Sequence, residues 1–407
     1  MGEAKRARPA GFREVFAVAE FRALWSAELL SVLGDQLTRV ALSVLVFERT
    51  SSAGLTALTY ALTYLPDLVG GPLLSGLADR FPRRRVMVIS DLLRAALVGL
   101  MAVPAVPLPV LALLLVLVRL ANSPFQAAQA ATVPTVLEGD RYVVGQTVRQ
   151  ITNQTGQLAG FAGGGAVVAL LGAHQALAAD AVTFLLSAAL IRFGVTARAA
   201  ARTTEGPDGR STLSQMAEGA RIIWRDPRLR SLAWLGWLVG FIVVPEGLAA
   251  PYADEIGAGT AAVGLLLASQ PAGTLLGAFL LGRFVSPARR LAVLGPLSVL
   301  AVTPLLGFAF RPGLPLAMAL LALGGAFAAY NVTAGATFMR IVPDSGRGQA
   351  FGIAGSGVLA AQGIGLATGG LLVSVIDSVA ATVAVAGAAG ILVAIPAATA
   401  WHKARST

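Results

Sequence analysis

The chain has 407 residues, of which 56% are hydrophobic and only 13% are charged, whereas about a quarter of an average soluble domain is charged. This balance excludes an ordinary water-soluble globule, and the apolar blocks of roughly twenty residues predict helices that cross a membrane. A net charge of +10 would favour a nucleic-acid partner in a soluble protein, so the position of the charges along the chain has to be considered.

Twelve membrane-spanning helices are predicted from apolar stretches that end at charged or Gly/Pro-rich breaks. In chain order the expected ranges are 21–47, 53–78, 85–104, 108–131, 142–170, 173–192, 230–252, 260–282, 289–309, 314–338, 347–375 and 378–401. The sequence therefore predicts an all-α membrane protein.

The longest polar break divides these helices into two groups of six. The predicted organisation is an N-terminal segment 1–20, a six-helix bundle 21–193, a linker 194–229, a second six-helix bundle 230–401 and a tail 402–407. We expect the linker to be a solvated connector, although residues 214–224 have the pattern of a short amphipathic helix at the membrane interface.

The basic residues fall on one side of the predicted bilayer. If both termini are cytoplasmic, all but five of the 31 lysines and arginines lie in cytoplasmic segments. Arg49 and Arg311 lie on the other side, and Arg39, Arg94 and Arg119 lie within helices. The positive-inside rule thus predicts cytoplasmic termini, and the basicity needs no nucleic acid to explain it.

Rare residue types make several kinds of chemistry improbable on this chain. There is no cysteine, and the two histidines, His174 and His402, are far apart, so we expect no disulfide, thiolate nucleophile or metal site. The two lysines, Lys5 and Lys403, cannot complete the Gly-Lys-Ser/Thr end of a phosphate-binding loop. We therefore expect no cofactor, no metal and no enzyme activity.

The two halves of the chain contain similar segments. Residues 71–84 are echoed half a chain later by residues 277–290, and Pro66 has a counterpart in Pro271. Such internal similarity is typical of transporters built from repeats related by an axis along the membrane normal.

The loop after the second predicted helix reads GPLLSGLADRFPRRR from Gly71 to Arg85. It resembles the Gly-x-x-x-Gly-x-x-Asp-Arg-x-x-Arg-Arg signature of the major facilitator superfamily. The segments Asp91 to Arg94 and Asp180 to Phe184 are similar to those of bacterial proton-coupled exporters of the third drug-antiporter group, which includes macrolide-efflux and siderophore-export proteins. The resemblance implies the major facilitator fold, alternating access and exchange of a solute for protons.

In that family the loop motif latches the cytoplasmic side closed in the outward-facing state. The corresponding residues here are Gly71, Gly76, Asp79, Arg80 and Arg84. The glycines would allow close helix approach, the aspartate would face a helix N-terminus of the other half, and the arginines would pair with carboxylates. The second copy has Val285 in place of the aspartate, so we expect one complete latch.

Charged residues within the spans are the main functional candidates, because each costs about 2.5–3.5 kcal/mol at the bilayer centre. Glu28 and Asp35 lie two turns apart on one face of the first helix, and Arg39 lies one turn further. We expect Asp35, and as second choice Glu28, to exchange a proton, while Arg39 or Arg119 tunes its affinity. The alternative is a permanent Asp35–Arg39 ion pair that allows the helix to insert.

Other intramembrane charges favour structural roles. Asp91 and Arg94 are one turn apart and are expected to pair with each other, and Asp180 is expected to be a structural hydrogen-bonding group. Asp67 and Glu246 each directly follow a proline, where freed backbone carbonyls indicate either a hinge or a binding site.

The fifth predicted helix carries an uncharged polar stripe formed by Gln146, Gln150, Asn153, Gln154 and Gln157. This pattern predicts a solute-binding cavity, with hydrogen bonding between helices as the alternative. The full set of predicted substrate-binding residues is Asn153, Gln154, Gln157, Asp67, Glu246, Gln270, Tyr330, Asn331 and Gln362.

Together these features predict a monomeric transporter in a bacterial cytoplasmic membrane that exports hydrophobic or amphipathic small molecules by proton antiport. Its expected partners are its solute, protons and the lipid bilayer. A proton-coupled importer or a uniporter is the alternative within transport, and a non-transporting membrane sensor is the alternative from another class.

Overall fold

A computed structural model of the chain describes residues 11–74, 76–198 and 212–405. These residues form helices and short connections, with no strand among them. The helices before residue 198 are α1 (Phe12–Ala17), α2 (Ala19–Thr50), α3 (Ala53–Ala61), α4 (Leu65–Leu74), α5 (Leu77–Arg80), α6 (Arg83–Met101), α7 (Leu108–Val136), α8 (Asp140–Leu171) and α9 (Ala173–Gly194). We call this part of the chain the first half.

The second half begins at residue 212. Its helices are α10 (Thr212–Arg225), α11 (Pro227–Trp237), α12 (Val239–Ile242), α13 (Val244–Gly247), α14 (Ala249–Glu255), α15 (Thr260–Phe284), α16 (Pro287–Val302), α17 (Leu314–Ala328), α18 (Tyr330–Ile341), α19 (Arg347–Ile376) and α20 (Val379–Ala404). Two 3₁₀ segments, Thr303–Phe310 and Asp344–Gly346, follow α16 and α18.

Nine helical segments in the described part of the chain are long and apolar enough to cross a membrane, which indicates a multi-pass membrane protein. The other three predicted spans, 53–78, 85–104 and 142–170, are also mainly helical, but they carry the intramembrane charges of α4 and α6 and the polar stripe of α8. The total of twelve spans therefore stays a prediction.

Four predicted spans are interrupted rather than continuous. Span 289–309 changes from α16 to a 3₁₀ segment at Thr303, and span 314–338 is divided into α17 and α18 at Ala329. Within 53–78 the chain turns between α3 and α4, directly before Pro66, whose ring and missing N–H cannot continue the preceding helix. The predicted helix 230–252 is divided into the four short helices α11 to α14, with Pro245 near the start of α13. These ranges are therefore helical, as predicted, but each is divided by a break, and the breaks in 53–78 and 230–252 lie near prolines.

Helix α10 packs against the beginning of α19. Ile223 is buried, and a Cβ added to Gly219 would lie 2.6 Å from the carbonyl carbon of Gln349. This part of the predicted linker is therefore docked on the second half and is not a solvated connector. The predicted terminal and linker residues 1–10, 199–211 and 406–407 lie outside the described residues.

The helices run between two faces of the molecule. The terminal face is where α2 begins and α20 ends, and there the Nε of Arg228 donates to the Ala404 carbonyl at 3.1 Å. The distal face carries the turns at Ser51 and Asp377, which line a common cleft.

Two glycine pairs hold the first and second halves together near the distal face. A Cβ on Gly165 of α8 would lie 2.6 Å from the Cα of Gly264 on α15. A Cβ on Gly54 of α3 would lie 2.8 Å from the carbonyl oxygen of Gly370 on α19. Because only glycine permits such close approach of backbones, these contacts close the distal face.

We predict that Gly165→Leu opens the distal face. Overpacking at this contact costs about 1–3 kcal/mol, which corresponds to a population shift of about 5- to 150-fold. The measurement is maleimide labelling of Ala57→Cys in a chain that has no native cysteine. Ala57 is buried and lies at the second glycine pair, where its Cβ would be 3.1 Å from a Cβ on Gly370. Gly163→Leu is the matched control, because its Cβ would meet nothing within 4 Å. Equal labelling of the two leucine variants would contradict the prediction.

Candidate functional site

A polar cavity of about 280 Å³ lies among α2, α7 and α8, with one residue contributed by α19 of the second half. Seven of the residues predicted from the sequence line it: Glu28, Asp35, Arg39, Arg119, Asn153, Gln157 and Gln362. The helical spacing of Glu28, Asp35 and Arg39 explains why one face of α2 supplies three of them. Gln36, Asn122 and Gln126 also line the cavity and were not among the predicted site residues.

Asp35 is paired with Arg94 of α6, at 3.0 Å. The Arg94 side chain is fully buried, whereas 21% of the Asp35 side chain is exposed. The expected alternative, an ion pair between Asp35 and Arg39, is therefore wrong. The i, i+4 spacing places Arg39 within reach, but α6 supplies a closer cation from a neighbouring helix.

Arg94 is shared with a second carboxylate, since it also pairs with Asp91 at 3.3 Å, as the sequence predicted. It donates to the hydroxyl of Ser31 and lies 3.9 Å from the centre of the Phe184 ring. The second Asp91 oxygen accepts a hydrogen bond from Ser187 at 2.5 Å. Of the two carboxylates that share Arg94, Asp35 is the one that faces the cavity.

Asp180 of α9 is completely buried beside this cluster. It accepts hydrogen bonds from Thr38 at 2.5 Å and from Thr183 at 2.9 Å. A Cβ on Gly34 would lie only 3.0 Å from the Asp180 carboxyl carbon, so the glycine provides the space for this side chain. These contacts give Asp180 the structural hydrogen-bonding role expected from the sequence.

Arg39 lies between the cavity and the second half. Its NH1 donates to the Tyr64 hydroxyl at 3.1 Å, and its guanidinium lies 4.7 Å from the centre of that ring. The hydroxyls of Tyr60 and Tyr64 donate to the carboxylate of Glu246 at 3.2 and 3.3 Å. Glu246 therefore connects the two halves through two tyrosines that the sequence analysis did not identify.

Glu28 is held by Arg149 of α8. The Nε of Arg149 lies 2.5 Å from one carboxylate oxygen, and its NH2 lies 3.1 Å from the other. Arg149 was predicted from the sequence to be one of the cytoplasmic arginines. Its spacing of one and two helical turns before Asn153 and Gln157 places it on the same face of α8 as these polar residues. Its place at the start of the polar stripe was the signal that would have identified it.

Arg119 of α7 forms an ion pair with Asp67 of α4. Among the described residues, the second oxygen of Asp67 and the Nε of Arg119 are buried without a hydrogen-bond partner. The pair therefore leaves one donor and one acceptor unused beside the cavity.

Six predicted substrate-binding residues do not line this cavity: Gln154, Asp67, Glu246, Gln270, Tyr330 and Asn331. Tyr330 is completely buried, and its hydroxyl donates to the Leu235 carbonyl at 2.6 Å, so its polar group is already used between helices. The Gln270 backbone packs closely on Gly325, where an added Cβ would lie 3.1 Å from the Gln270 Cα. The described residues also contain no group of three His, Asp or Glu side chains that could hold a metal ion.

The residues of the predicted latch form no ion pair with the second half in the described part of the chain. Asp79 and Arg80 are exposed. Arg84 donates to the Val195 carbonyl at 3.2 Å, which corrects the expectation of a carboxylate partner. Gly71 and Gly76 have open space beside them, so the expected close helix approach is absent in this conformation.

The fold and the cavity define a membrane transport protein, and comparison with known families agrees. The family model of the Major Facilitator Superfamily matches residues 24–248 and 247–406. The chain belongs to this superfamily of transporters and is not an enzyme.

Efflux proteins are among its relatives. The chain is similar to the multidrug efflux pump Tap of Mycolicibacterium fortuitum, at 29% identity over 85% of this chain and 87% of that protein. It is 28% identical to macrolide efflux protein A of Streptococcus pyogenes over 86 residues. This match covers 21% of the present chain and 21% of that protein.

A solved structure shares the fold. A bacterial homologue of the human lysosomal transporter Spinster, in an inward-facing and occupied conformation, superposes with a TM-score of 0.71 at 16% identity, over 95% of this chain and 97% of that one.

We predict that Glu28→Gln destabilises the protein by about 3–5 kcal/mol, because it leaves the Arg149 charge buried without its counter-charge. The exposed fractions of the two side chains are only 11% and 15%. The measurement is the free energy of unfolding in detergent. Glu14→Gln is the control, since it breaks an ion pair to Arg141 in which both side chains are 52% exposed, and there we expect less than about 1 kcal/mol. Equal destabilisation by the two substitutions would contradict the buried-pair interpretation.

Proposed function

We propose that this protein exports hydrophobic or amphipathic small molecules from a bacterial cell by proton antiport. The observation that carries the proposal is the Asp35 carboxylate, which faces a polar cavity while its Arg94 partner is shared with a second acid. A carboxylate in such a position gains or loses a proton from the cavity without leaving its cluster.

The charge count of the cluster favours proton exchange. Asp35, Asp91 and Asp180 lie around the guanidinium of Arg94, and the other nearby guanidinium, that of Arg39, interacts with both Asp35 and Glu246. Four carboxylates are thus set against two guanidinium groups, so the fully ionised cluster has an excess of negative charge. Uncompensated charge is expensive at membrane depth, and a proton on one carboxyl reduces it. Asp91 and Asp180 are completely buried, which leaves Asp35 as the group that meets water and solute.

The proposed architecture has twelve spans in two six-helix bundles, with both termini cytoplasmic and the terminal face toward the cytoplasm. It is supported by the positive-inside distribution of arginines and by the two successive family matches. In this orientation the distal face is external. The closed distal face and the disengaged latch then correspond to an inward-facing state.

Alternating access requires the distal contacts to separate and the latch to engage. The bonds from Tyr60 and Tyr64 to Glu246 join the halves in the inward-facing state, and Arg39 lies against both Tyr64 and the cavity. A change of charge or solute in the cavity therefore acts directly on a side chain that supports this connection.

The nature of the solute is inferred from the cavity and the relatives. Asn153, Gln157 and Gln362 offer uncharged hydrogen-bonding groups, and the unused polar atoms of Asp67 and Arg119 keep these residues as candidates for solute contact. The efflux pumps among the relatives favour export. A proton-coupled importer or uniporter is the competing proposal.

We expect Asp35→Asn to abolish pH-driven efflux while the protein still folds, because asparagine keeps an acceptor for Arg94 but cannot exchange a proton. The measurement is dissipation of a pH gradient in energised inverted vesicles, with lipophilic cations, macrolides and siderophore-like compounds added in turn. Glu138→Gln, at an exposed position, is the control and should behave as wild type.

Retained proton-coupled efflux in Asp35→Asn would remove Asp35 from the mechanism. If no compound dissipates the gradient through the wild-type protein while labelled solutes still move down their own gradients, the proton-antiport proposal fails and a uniporter is favoured.

A second expectation concerns the latch. Asp79→Asn should leave the distal closure unchanged but weaken the outward-facing state, with a shift of about 1 kcal/mol, or roughly fivefold, in the population of the two states. The measurement is maleimide labelling of Gln126→Cys in the cavity from the terminal side, which should increase. Glu138→Gln again serves as the control, and unchanged labelling in Asp79→Asn would contradict a latch at this position.

A further inference from the structure

An apolar groove of about 630 Å³ lies in the second half, between the segmented helices α11 to α13 and the helices α19 and α20. Its floor is made of small residues such as Gly240, Gly365 and Ala389, and Trp237 and Ile364 stand at its sides. It shares no lining residue with the polar cavity. The groove is therefore a separate feature with its own chemistry.

The groove is long enough to hold an acyl chain. Along α19 it extends from Gly357 to Leu372, which at 1.5 Å per residue is about 22 Å. This length exceeds the hydrocarbon depth of one leaflet, which is half of a core of roughly 30 Å. Because Ile364 and Val385 in its lining are exposed on the surface of the described structure, the groove opens toward the lipid.

Three tryptophans mark the end of the groove nearest the terminal face. The rings of Trp224, Trp234 and Trp237 lie with centroids 5.5–6.4 Å apart, and the last two line the groove. Tryptophan is enriched at the level of lipid headgroups. The headgroup of a molecule in the groove would therefore lie beside α10.

Most of the charges around this end are basic, because Arg221, Arg225, Arg228 and Arg230 outnumber the two acidic residues of the same stretch, Glu218 and Asp226. Arg221, Arg225 and Arg230 are exposed within two helical turns of Trp224 along the chain, and Arg230 donates to the Trp224 carbonyl. The groove lining contains no carboxylate, so a lipophilic cation would find no counter-charge there. An anionic headgroup would find several arginines as counter-charges, and each arginine near a membrane surface contributes about 1 kcal/mol of attraction.

We propose that this groove binds one phospholipid with an anionic headgroup. Its acyl chain lies on the small residues of α12, α19 and α20, and its phosphate contacts Arg221 and Arg225. The site docks α10 against the membrane next to α11, the first helix of the interrupted segment. It does not depend on the identity or direction of the transported solute.

The test uses tryptophan fluorescence of the purified full chain in detergent micelles. Phosphatidylglycerol and phosphatidylcholine with the same brominated acyl chain are added separately, since bromine quenches nearby tryptophans. Three of the five tryptophans of the chain are at the proposed site. We expect phosphatidylglycerol to quench at about tenfold lower mole fraction, which corresponds to about 1.4 kcal/mol.

Two variants separate the chain site from the headgroup site. Ala389→Phe fills the groove and should abolish the preferential quenching, whereas Ala388→Phe, at the adjacent exposed position outside the groove, should retain it. Arg221→Gln with Arg225→Gln should make the two lipids equal, whereas Arg283→Gln with Arg289→Gln removes the same charge from exposed positions elsewhere and should leave the preference intact.

Equal quenching of the wild-type protein by the two lipids would overturn the proposal, as would full preference in the Arg221/Arg225 double variant, which alters only exposed side chains. Displacement of the brominated lipid by tetraphenylphosphonium would also overturn it, in favour of a groove that takes a lipophilic solute. These outcomes are independent of proton-coupled efflux, so a failure of the export proposal and a failure of this one are distinguishable.

Discussion

The buried guanidinium of Arg94 connects the elements on which the first half depends. It reaches from α6 to Asp35 and Ser31 on α2 and lies on the Phe184 ring of α9. A positive charge at this depth is tolerated only where carboxylates compensate it. Asp35, the acid proposed for proton exchange, thus also takes part in the ion-pair cluster that joins three helices.

The contacts between the two halves differ at the two ends of the molecule. At the distal face, Gly165 and Gly264 bring backbones together, and hydrogen bonds to Glu246 add a polar connection between the halves. At the terminal face, the latch residues Asp79 and Arg80 are solvent-exposed. Dispersion forces fall off steeply when tightly packed surfaces separate, whereas charged contacts act over longer distances. The distal closure is therefore more sensitive to small changes in position than a closure made by charged contacts would be.

The sequence was sufficient for much of the helical architecture and for part of the cavity. Period and hydropathy located the helices, and two residues of the predicted polar stripe of α8, Asn153 and Gln157, line the polar cavity. Prediction failed where partners come from other helices. The spacing along α2 made Arg39 a possible ion-pair partner of Asp35. Only the packing of α6 on α2 shows that the partner is Arg94.

A similar reason explains the other differences. Tyr330 is a polar residue on an apolar helix, which in sequence is compatible with a binding site, but the fold directs its hydroxyl to the Leu235 carbonyl. Arg149 belongs to a charged region in the sequence, and its interaction with Glu28 is visible only when α8 lies against α2. Local patterns determine which face of a helix is polar, while tertiary packing determines what that face meets.

The division of residues 227–255 into four short helices has a mechanical consequence. A continuous helix transmits rotation along its whole length, whereas each break between α11 and α14 is a joint at which adjacent segments can reorient separately. The first segment is anchored at the terminal face by the bond from Arg228 to the Ala404 carbonyl, while the last segment bonds through Tyr252 to the Pro312 carbonyl. Because each break interrupts the regular helical hydrogen bonds, bending at these positions costs less than in a continuous helix. The region around Glu246 thus lies among the most easily bent positions of this stretch, between two anchored ends.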